Sequence, residues 1–410
     1  MSARCVIAGG GPAGIMLGLL LARAGVRVQV FEKHADFLRD FRGDTIHPST
    51  LEVMHELGLL EALLRLPHQK AYEIRAHVGD RAFRVADFSR LPVRCPFIAF
   101  MPQWDFLDFL AAEARRHPTF RLEMQAEVTG LLEAGGRVRG ARVATVGGLR
   151  EEAADLVVAA DGRQSSVRAA AQLRVRELGA PMDVLWFHLP RSPDGPAETM
   201  GRFAAGRIFI AIHRGSYWQC GYVIPKGSFA GIRARGLEAF RASVAEAAPF
   251  AAAGVGEIRS WDDVRLLSVR VDRLERWYRP GLLCIGDAAH AMSPVGGVGI
   301  NLAIQDAVAA ANLLAAPLRA GRLAAEDLAR VQRRRELPAR LTQWAQLQAQ
   351  GRVIAPTLAG TGALGAPLAL RLLDRFAWLR RIPGRMVGMG ARPEHVRLPA
   401  AEAGAGSVIS

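Results

Sequence analysis

Residues 4–32 read RCVIAGGGPAGIMLGLLLARAGVRVQVFE, and this stretch is the strongest indication of the fold. A short apolar run ends at a cluster of glycines, a longer one follows from Pro12 and closes at Gly25, and a third ends at Glu32. Short runs of this kind are typical of buried strands, and the longer one is typical of a buried helix. The order therefore predicts a βαβ unit, and with it a parallel sheet at the front of an α/β domain.

The glycines of this stretch have the spacing of a dinucleotide-binding turn. In G-x-G-x-x-G the first glycine allows a tight turn, the second lets a pyrophosphate approach the backbone, and the third lets helix and strand pack closely. The helix N-terminus supplies amide hydrogens for the phosphates, and the acid that ends the second strand can accept the ribose hydroxyls. The residues predicted to bind the nucleotide here are Gly9, Gly11, Pro12, Ala13, Gly14, Glu32 and Lys33.

The composition narrows the class of protein. The 410 residues are 50% hydrophobic, enough for the cores of two or three domains. The net charge of +14 is carried mostly by arginines scattered along the chain, so we expect anionic small molecules rather than nucleic acid as partners. No apolar run of about 18 residues lacks charge or glycine, and the four cysteines have no metal-binding spacing. We therefore expect a cytoplasmic protein with reduced thiols, no integral membrane span and no metal.

The rest of the chain alternates between helical and strand patterns. Short strands rich in aromatic and branched residues fill 181–261 and predict an antiparallel sheet inserted into the first domain. Amphipathic helices are predicted over 49–66 and around 368–386. The predicted domains are a discontinuous nucleotide-binding domain (1–71, 96–180 and 262–340), an inserted β-sheet domain (72–95 and 181–261), C-terminal helices (341–398) and a flexible tail (399–410).

Two further segments, taken with the first, carry a resemblance to a known family. They are DLVVAADGRQSSVR at 155–168, and GDAAHAMSP followed by GGVGINLAIQDA within 286–307. In order and spacing, the three segments resemble those of the class A flavoprotein monooxygenases, the family of para-hydroxybenzoate hydroxylase. Weaker matches are Arg42 in FRGDTIHPSTLEVM and Gln103 in MPQWDFLDFL. The resemblance implies a Rossmann-like FAD-binding domain with an inserted antiparallel β-sheet substrate domain and a helical C-terminal region.

The resemblance also implies roles for residues in these segments. Asp287 is expected to accept a hydroxyl of the flavin ribityl chain, and Asp161 to lie near the FAD pyrophosphate with a part in NAD(P)H use. The flavin-contacting arginine would be Arg42, and Gln103 would contact the ribityl chain. His290 is expected to take part in packing and cofactor contacts rather than catalysis. The segment predicted to lie against the flavin ring, with the start of a helix whose dipole favours negative charge, comprises Pro294, Gly297, Gly299, Ile300 and Asn301.

The activity that the resemblance implies is aromatic hydroxylation. FAD would be reduced by NAD(P)H and would react with O₂. One oxygen atom would then pass from a flavin C4a-hydroperoxide to an aromatic or heteroaromatic small molecule. A second G-x-G-x-x-G, beginning at Gly360, lies in a helical region without a βαβ unit, so we predict a loop there. NAD(P)H is then expected to bind transiently at the surface. A homodimer is an open alternative to a monomer.

The inserted sheet is predicted to cover the flavin. Alternation places Tyr217, Gln219 and Gly221 on one face of a strand, and Trp218, Cys220 and Tyr222 on the other. The sequence leaves open which face meets the substrate, and the predicted substrate-binding residues are Tyr217, Gln219 and Tyr222. Candidate bases are His47, His188 and His213, and the sequence does not assign the catalytic base to any of them. Lys226 is interpreted as an exposed turn lysine, with contact to an anionic substrate as the alternative.

Several alternatives stay open at this point. Flavin-dependent halogenases and isoprenoid-chain reductases have Trp/Pro motifs in the region that here reads YWQCGYVIP, and a non-enzymatic binder could keep the βαβ fold without a flavin. The apolar stripe of Leu368, Leu372, Phe376 and Leu379 is interpreted as packing on the body or as a dimer contact, with a membrane-surface helix as the alternative. The substrate and the choice between NADH and NADPH are not predicted.

Overall fold

The architecture is that of a mixed α/β protein, known here from a computed structural model that describes residues 4–38, 45–79, 81–192, 195–196, 198–360 and 367–398. A mainly parallel sheet and a larger, mainly antiparallel sheet each have their own helices, and further helices follow at the C-terminal end. The predicted fold class is therefore confirmed.

The described strands are numbered in chain order. They are β1 (Arg4–Ala8), β2 (Arg27–Glu32), β3 (Thr45–Ile46), β4 (Gln69–Ala71), β5 (Glu73–Val78), β6 (Arg81–Asp87), β7 (Ile98–Phe100), β8 (Phe120–Met124), β9 (Ala126–Ala134), β10 (Arg137–Thr145), β11 (Gly148–Ala153), β12 (Leu156–Ala159), β13 (Val175–Glu177), β14 (Met182–Pro190), β15 (Met200–Ala204), β16 (Arg207–His213), β17 (Tyr217–Pro225), β18 (Arg265–Leu267), β19 (Asp272–Leu274), β20 (Tyr278–Arg279) and β21 (Leu282–Cys284).

The described α-helices are numbered in the same way. They are α1 (Pro12–Arg23), α2 (Pro48–Glu56), α3 (Leu60–Leu63), α4 (Gln103–Arg115), α5 (Ser166–Ala170), α6 (Phe229–Ala234), α7 (Leu237–Ala247), α8 (Gly299–Arg319), α9 (Ala325–Ala349), α10 (Ala355–Ala359), α11 (Leu368–Arg375) and α12 (Arg381–Gly388). A π-turn, Gln350–Ile354, joins α9 to α10, so these elements form one continuous helical rod.

The first sheet contains the βαβ unit predicted from residues 4–32. Its strand order is β20-β21-β12-β1-β2-β8, parallel except for β20 at one edge. The side chains of the central strand β12 are all buried, as expected when helices cover both faces of a parallel sheet. The neighbouring strands β1, β12 and β21 run in one direction, so their carboxyl ends meet at one edge. Each of them leads into one of the three family segments.

The larger sheet has the order β18-β14-β17-β16-β15-β5-β6. β5 and β6, distant in sequence from the other strands, join it through a parallel pairing of β5 with β15. One face of this sheet packs on α6, α7 and the 3₁₀ segment Pro249–Glu257. The opposite face packs toward Val295 of the third family segment, Phe100 of β7 and Leu358 of α10. We call this second side the flavin-facing face, because Val295 belongs to the segment that the family resemblance predicts to lie against the flavin ring.

Two predicted helices are each divided in the structure. The helix expected over 49–66 ends at Glu56, because Gly58 adopts a left-handed conformation with φ of +74°, and α3 begins only at Leu60. The helix expected around 368–386 is interrupted at Phe376, where the backbone is extended. The predicted apolar stripe is therefore not one helix face. Leu368 and Phe376 are 72% and 42% exposed.

Helix α8 is the central core helix of the first domain. Within the described residues, Val295–Arg319 is the segment long and apolar enough to cross a membrane, but 78% of its apolar window is buried inside the protein. It packs against α1, and the two helices come together at Gly286, where an added Cβ would lie 3.1 Å from the Ala13 side chain and 3.3 Å from that of Ala303. Burial of this kind explains its composition without a membrane.

Candidate cofactor and substrate site

The turn after β1 is closed on one side and open on the other. A Cβ on Gly9 would lie 2.5 Å from the carbonyl oxygen of Ala160, and a Cβ on Gly14 would overlap the carbonyl of Gly9. Both glycines are therefore required by packing. A Cβ on Gly11 would meet nothing within 4 Å, and Gly11 directly precedes α1. The open side of this turn and the amides at the start of α1 suit a pyrophosphate.

Glu32 ends β2 beside this turn and is 8% exposed. Its carboxylate accepts the backbone N–H of Gly10 at 2.8 Å and that of His34 at 3.1 Å. An ionised carboxylate has about four acceptor positions, so these two bonds orient it without using its full capacity. Lys33 points outward, and its Nζ lies 4.0 Å from Glu127 Oε1 in an exposed pair. Arg42 lies outside the described residues.

An ion pair joins the second and third family segments, and a second pair ties the second segment to β19. Arg163 Nη2 lies 3.1 Å from Asp287 Oδ2, with both side chains about one third exposed. Deeper in the protein, Arg168 lies 3.3 Å from Asp272 and donates to the carbonyl oxygen of Arg163. Arg163 was not among the predicted site residues, although its place directly after the Asp-Gly pair was a usable signal. The two pairs fix the edge of the sheet on which Asp287 stands.

Asp161 caps a helix at this edge. Its Oδ2 accepts the backbone N–H of Val167 at 3.2 Å and the hydroxyl of Ser166 at 3.3 Å, at the start of α5. Burial raises the pKa of Asp161, and these hydrogen bonds oppose the rise. Its Oδ1 is buried and has no hydrogen-bond partner among the described residues. Of the two carboxylate oxygens of Asp161, Oδ1 is therefore the one available for the predicted contact with the pyrophosphate region.

The glycine-rich segment before α8 is held by Thr45. Gly296 and Gly297 have left-handed φ of +79° and +62°. A Cβ on Gly297 would lie 2.5 Å from Thr45 Oγ1, which donates to the Gly297 carbonyl at 2.9 Å. A Cβ on Gly299 would meet nothing within 4 Å. The segment is thus packed on one side and open at the helix start, as a surface for a flat ring requires.

The first turn of α8 presents backbone amides. Gly299, Ile300 and Asn301 are its first three residues, so their N–H groups have no acceptor within the helix, and no side chain caps it. The Asn301 side chain is occupied elsewhere. Its Oδ1 accepts the backbone N–H of His47 at 2.8 Å and the Thr50 hydroxyl at 2.7 Å. Only the backbone of Asn301 is available for the predicted flavin contact.

Two other predicted residues have defined places near this segment. Pro294 directly precedes the 3₁₀ turn Val295–Gly297. Gln103 is the first residue of α4, three positions after Phe100, and Phe100 pairs with Thr45 between β7 and β3. Thr45 also donates to the carbonyl oxygen of Gly297. Strand β7, which leads into Gln103 and α4, is therefore linked through Thr45 to the glycine-rich segment.

The faces of β17 assign the predicted substrate residues to opposite sides. Gln219 lies on the flavin-facing face with Val223, and Tyr217 follows the same alternation. Tyr222 lies on the helix-covered face, where its ring is 5.9 Å from that of Phe240 and burial raises its pKa. Tyr222 is therefore on the opposite face of the sheet from Gln219 and Tyr217, because successive side chains of a strand point to opposite faces.

Arg214 is a residue of this face that the sequence analysis missed. Its Nε donates to Gln219 Oε1 at 3.1 Å, and Gln219 is only 6% exposed. Burial and the neighbouring Asp108 raise the pKa of Asp105 in α4, whereas Arg214 lowers it. Arg214 thus lies near both β17 of the larger sheet and α4. No sequence signal separated it from the many scattered arginines.

The three candidate histidines have different surroundings. His47 is fully buried, and burial lowers its pKa to about 4, so it is a weak proton acceptor near neutral pH. Its Nδ1 lies 2.7 Å from the Val387 carbonyl oxygen. His213 stacks edge-on against Trp218 of the helix-covered face. His188 is paired with Gln219 across β14 and β17, and its ring lies 4.8 Å from that of Tyr217. His188 is the one of the three that shares the predicted substrate side.

Two further candidates have structural surroundings. Lys226 is bonded to Asp183 at 2.8 Å and to the carbonyl oxygen of Val269 at 2.6 Å, so it is a tethered rather than a free turn lysine. His290 is 1% exposed, and its Nε2 lies 2.6 Å from Asp306 Oδ2. Burial would raise the pKa of Asp306, but His290 and Arg335 together lower it. This placement favours a packing role for His290.

The turn, the acid at the end of β2 and the open helix start together have the geometry of a dinucleotide-binding site, next to a separate, mainly antiparallel sheet. A family model described as "FAD binding domain" matches residues 2–345, and the chain belongs to that family, the class A FAD-dependent monooxygenases. The open sides of Gly11 and Gly299, each beside a helix N-terminus, fit FAD as the cofactor.

Relatives and solved structures agree with this family. The chain is 37% identical to 6-methylpretetramide 4-monooxygenase of Streptomyces rimosus, over 77% of this chain and 75% of that protein. It is 30% identical to rifampicin monooxygenase of Streptomyces venezuelae, over 74% of this chain but only 62% of that protein. The fold is similar to that of the anhydrotetracycline hydroxylase OxyS of Streptomyces rimosus, with a TM-score of 0.75 at 24% identity, covering 95% of this chain and 76% of that one.

Proposed function

We propose that this monooxygenase hydroxylates an aromatic or heteroaromatic small molecule, using NAD(P)H and O₂. The observation that carries the proposal is the packing of the flavin-facing face of the larger sheet toward Val295, within the segment proposed to hold the flavin ring. A substrate between that face and the ring would be enclosed by protein on both sides. Exclusion of water from such a site favours oxygen transfer over side reactions.

The chain's own residues have distinct parts in this proposal. Bound FAD supplies electron transfer from NAD(P)H and activation of O₂. The turn at Gly11 and the start of α1 would hold the pyrophosphate, and Glu32 would hold the ribose. The amides at Gly299 and Ile300 would stabilise negative charge on the reduced ring, because they lie at the positive end of the α8 dipole.

The substrate side combines a flat apolar wall with one polar pair. Trp186 packs over Gly221, where an added Cβ would lie 3.2 Å from the indole ring, and its neighbours on that face are branched aliphatic residues. Gln219 and Arg214 supply the polar pair. A guanidinium held in place by an amide oxygen suits a phenolate, enolate or carboxylate oxygen. We infer a planar substrate that has such an oxygen.

The first substrate to test is suggested by the relative that is 37% identical to this chain, 6-methylpretetramide 4-monooxygenase. Its name specifies 6-methylpretetramide as the compound that it oxygenates. We propose to test this compound first on the present chain. Phenols, aromatic acids and hydroxypyridines complete the panel.

The experiment measures NAD(P)H consumption in air by the purified FAD-loaded protein, with peroxide assayed in parallel and ¹⁸O₂ supplied for product analysis. A product that contains one ¹⁸O atom, formed with little peroxide, is expected. Peroxide equal to the NAD(P)H consumed across the whole panel would contradict the proposal for these substrates. A reduced product without ¹⁸O would favour an isoprenoid-reductase type of activity, and a chloride-dependent product would favour a halogenase.

A further inference from the structure

Helix α9 and the π-turn after it carry a row of buried glutamines, and the later members of the row contact the third family segment. Gln332, Gln343 and Gln346 lie on α9, and Gln350 begins the π-turn at its end. All four are 9% exposed or less. Buried amide side chains are costly unless they are hydrogen-bonded, so their partners indicate what the row does.

The last two members of the row hold the residues that lead into the glycine-rich segment. Gln346 accepts the backbone N–H of Ser293 at 3.1 Å, and its Nε2 donates to the carbonyl oxygens of Ser293 and Val295, both at 2.9 Å. Gln350 Nε2 donates to Ser293 Oγ at 2.6 Å. Residues 293–295, which include Pro294, are therefore held by Gln346 of α9 and by Gln350 of the π-turn.

The same helical rod also contacts the substrate sheet. Ile354, at the end of the π-turn, and Leu358 of α10 pack in the apolar cluster of the flavin-facing face, which Val295 also joins. The carbonyl oxygen of Thr357 accepts the backbone N–H of Gly206, between β15 and β16, at 2.8 Å. The rod thus fixes residues 293–295 and the sheet relative to one another. π-turns inside helices are frequent at functional sites.

We propose that Gln346 and Gln350 are positioning residues, which set where the flavin ring lies by holding residues 293–295. This inference rests on the proposed placement of the ring against that segment. Because a net hydrogen bond corresponds to roughly a fivefold change in an equilibrium constant, loss of the Gln346 contacts is expected to weaken FAD binding about 5- to 30-fold. The visible absorption bands of bound FAD are expected to shift as well.

The first test compares Gln346→Leu with Gln332→Leu by FAD titration and visible spectroscopy. Gln332 is a matched control. It makes the same kind of backbone contacts, accepting Trp277 N–H and donating to the Glu275 carbonyl oxygen, both at 3.0 Å, but roughly 21 Å earlier on the same helix. Both variants are expected to unfold at lower temperature. Only Gln346→Leu is expected to change FAD affinity and the flavin spectrum.

The results separate this inference from the proposed function, since FAD titration needs no substrate. An equal change of FAD affinity in both variants, or none in Gln346→Leu, would overturn the positioning role even in an active hydroxylase. If Gln346→Leu does not fold, Gln350→Leu replaces it. That variant loses one hydrogen bond, and an affinity about two- to fivefold lower is expected. Wild-type affinity and spectrum in Gln350→Leu would then contradict the proposal.

Discussion

The glycines of the first turn allow packing and cofactor binding to be tested separately. Gly11 and Gly14 belong to the same G-x-G-x-x-G pattern, but only one of them has room for a methyl group. A Cβ on Gly14 would overlap the Gly9 carbonyl oxygen and lie 3.3 Å from Ile7 Cγ2. At Gly11 the φ of −74° suits any residue, and the added Cβ would meet no atom within 4 Å. The two alanine variants should therefore fail in different ways.

The magnitudes follow from these surroundings. Gly14→Ala requires α1 to move away from the turn, and we expect a loss of about 3–5 kcal/mol in the free energy of unfolding, as in overpacked cores and strained backbones. Gly11→Ala should change the stability of the apoprotein by at most about 1 kcal/mol, since it alters only the preference at a helix N-cap. Its methyl group would occupy the space proposed for the pyrophosphate, so FAD affinity should fall at least about tenfold, or 1.4 kcal/mol.

The assay pairs two measurements on each variant. Chemical denaturation of the apoproteins gives the free energy of unfolding, and FAD titration gives the dissociation constant. If Gly11→Ala bound FAD as tightly as the wild type, the pyrophosphate would not approach the backbone at Gly11. If Gly11→Ala lost as much apoprotein stability as Gly14→Ala, the turn would not be open on that side.

Two more predictions concern the substrate sheet and the buried histidine. Gln219→Leu should raise the KM for the aromatic substrate about tenfold, because it removes the acceptor that orients Arg214. Tyr222→Phe, on the helix-covered face, should leave KM within about twofold, which is roughly the scatter expected for distant sites. Equal effects of the two variants on KM in steady-state assays would contradict the assigned faces. Burial lowers the pKa of His47 from 6.5 to about 4. Between these pH values His47 is protonated in the unfolded chain but neutral in the folded protein. The free energy of unfolding should therefore fall by up to about 3 kcal/mol as the pH drops from 6.5 to 4. Denaturation of wild type and His47→Gln at several pH values checks this, and identical pH slopes would refute it.

The arrangement of the strands brings the three family segments together at one edge of the first sheet. β1, β12 and β21 are adjacent and parallel, so Gly9, Asp161 and Asp287 follow their strands at the same edge. The Arg163–Asp287 pair joins two of the segments directly. Being partly exposed, this pair contributes little stability. Its consequence is geometric, since it limits where the Asp287 carboxylate points.

Much of the first domain could be predicted from sequence because its signals are local. The glycine spacing, the proline at the helix start and the acid at the end of β2 lie within about thirty residues, and each has a steric or electrostatic reason that holds wherever the unit is placed. The family resemblance then predicted the inserted sheet and the cofactor. The helix boundaries were predicted less accurately than the βαβ unit, because a single left-handed glycine at position 58 was enough to end α2.

The βαβ unit, the glycine turn and the alternation of side chains along β17 follow from the sequence alone. Three features depend on the tertiary structure: the face of β17 that packs toward Val295, the position of Arg214 beside Gln219, and the contact of Gln346 with Ser293, 53 residues away. The alternation of side chains along a strand fixes which of them share a face. What that face contacts depends on packing between elements that are distant in the chain.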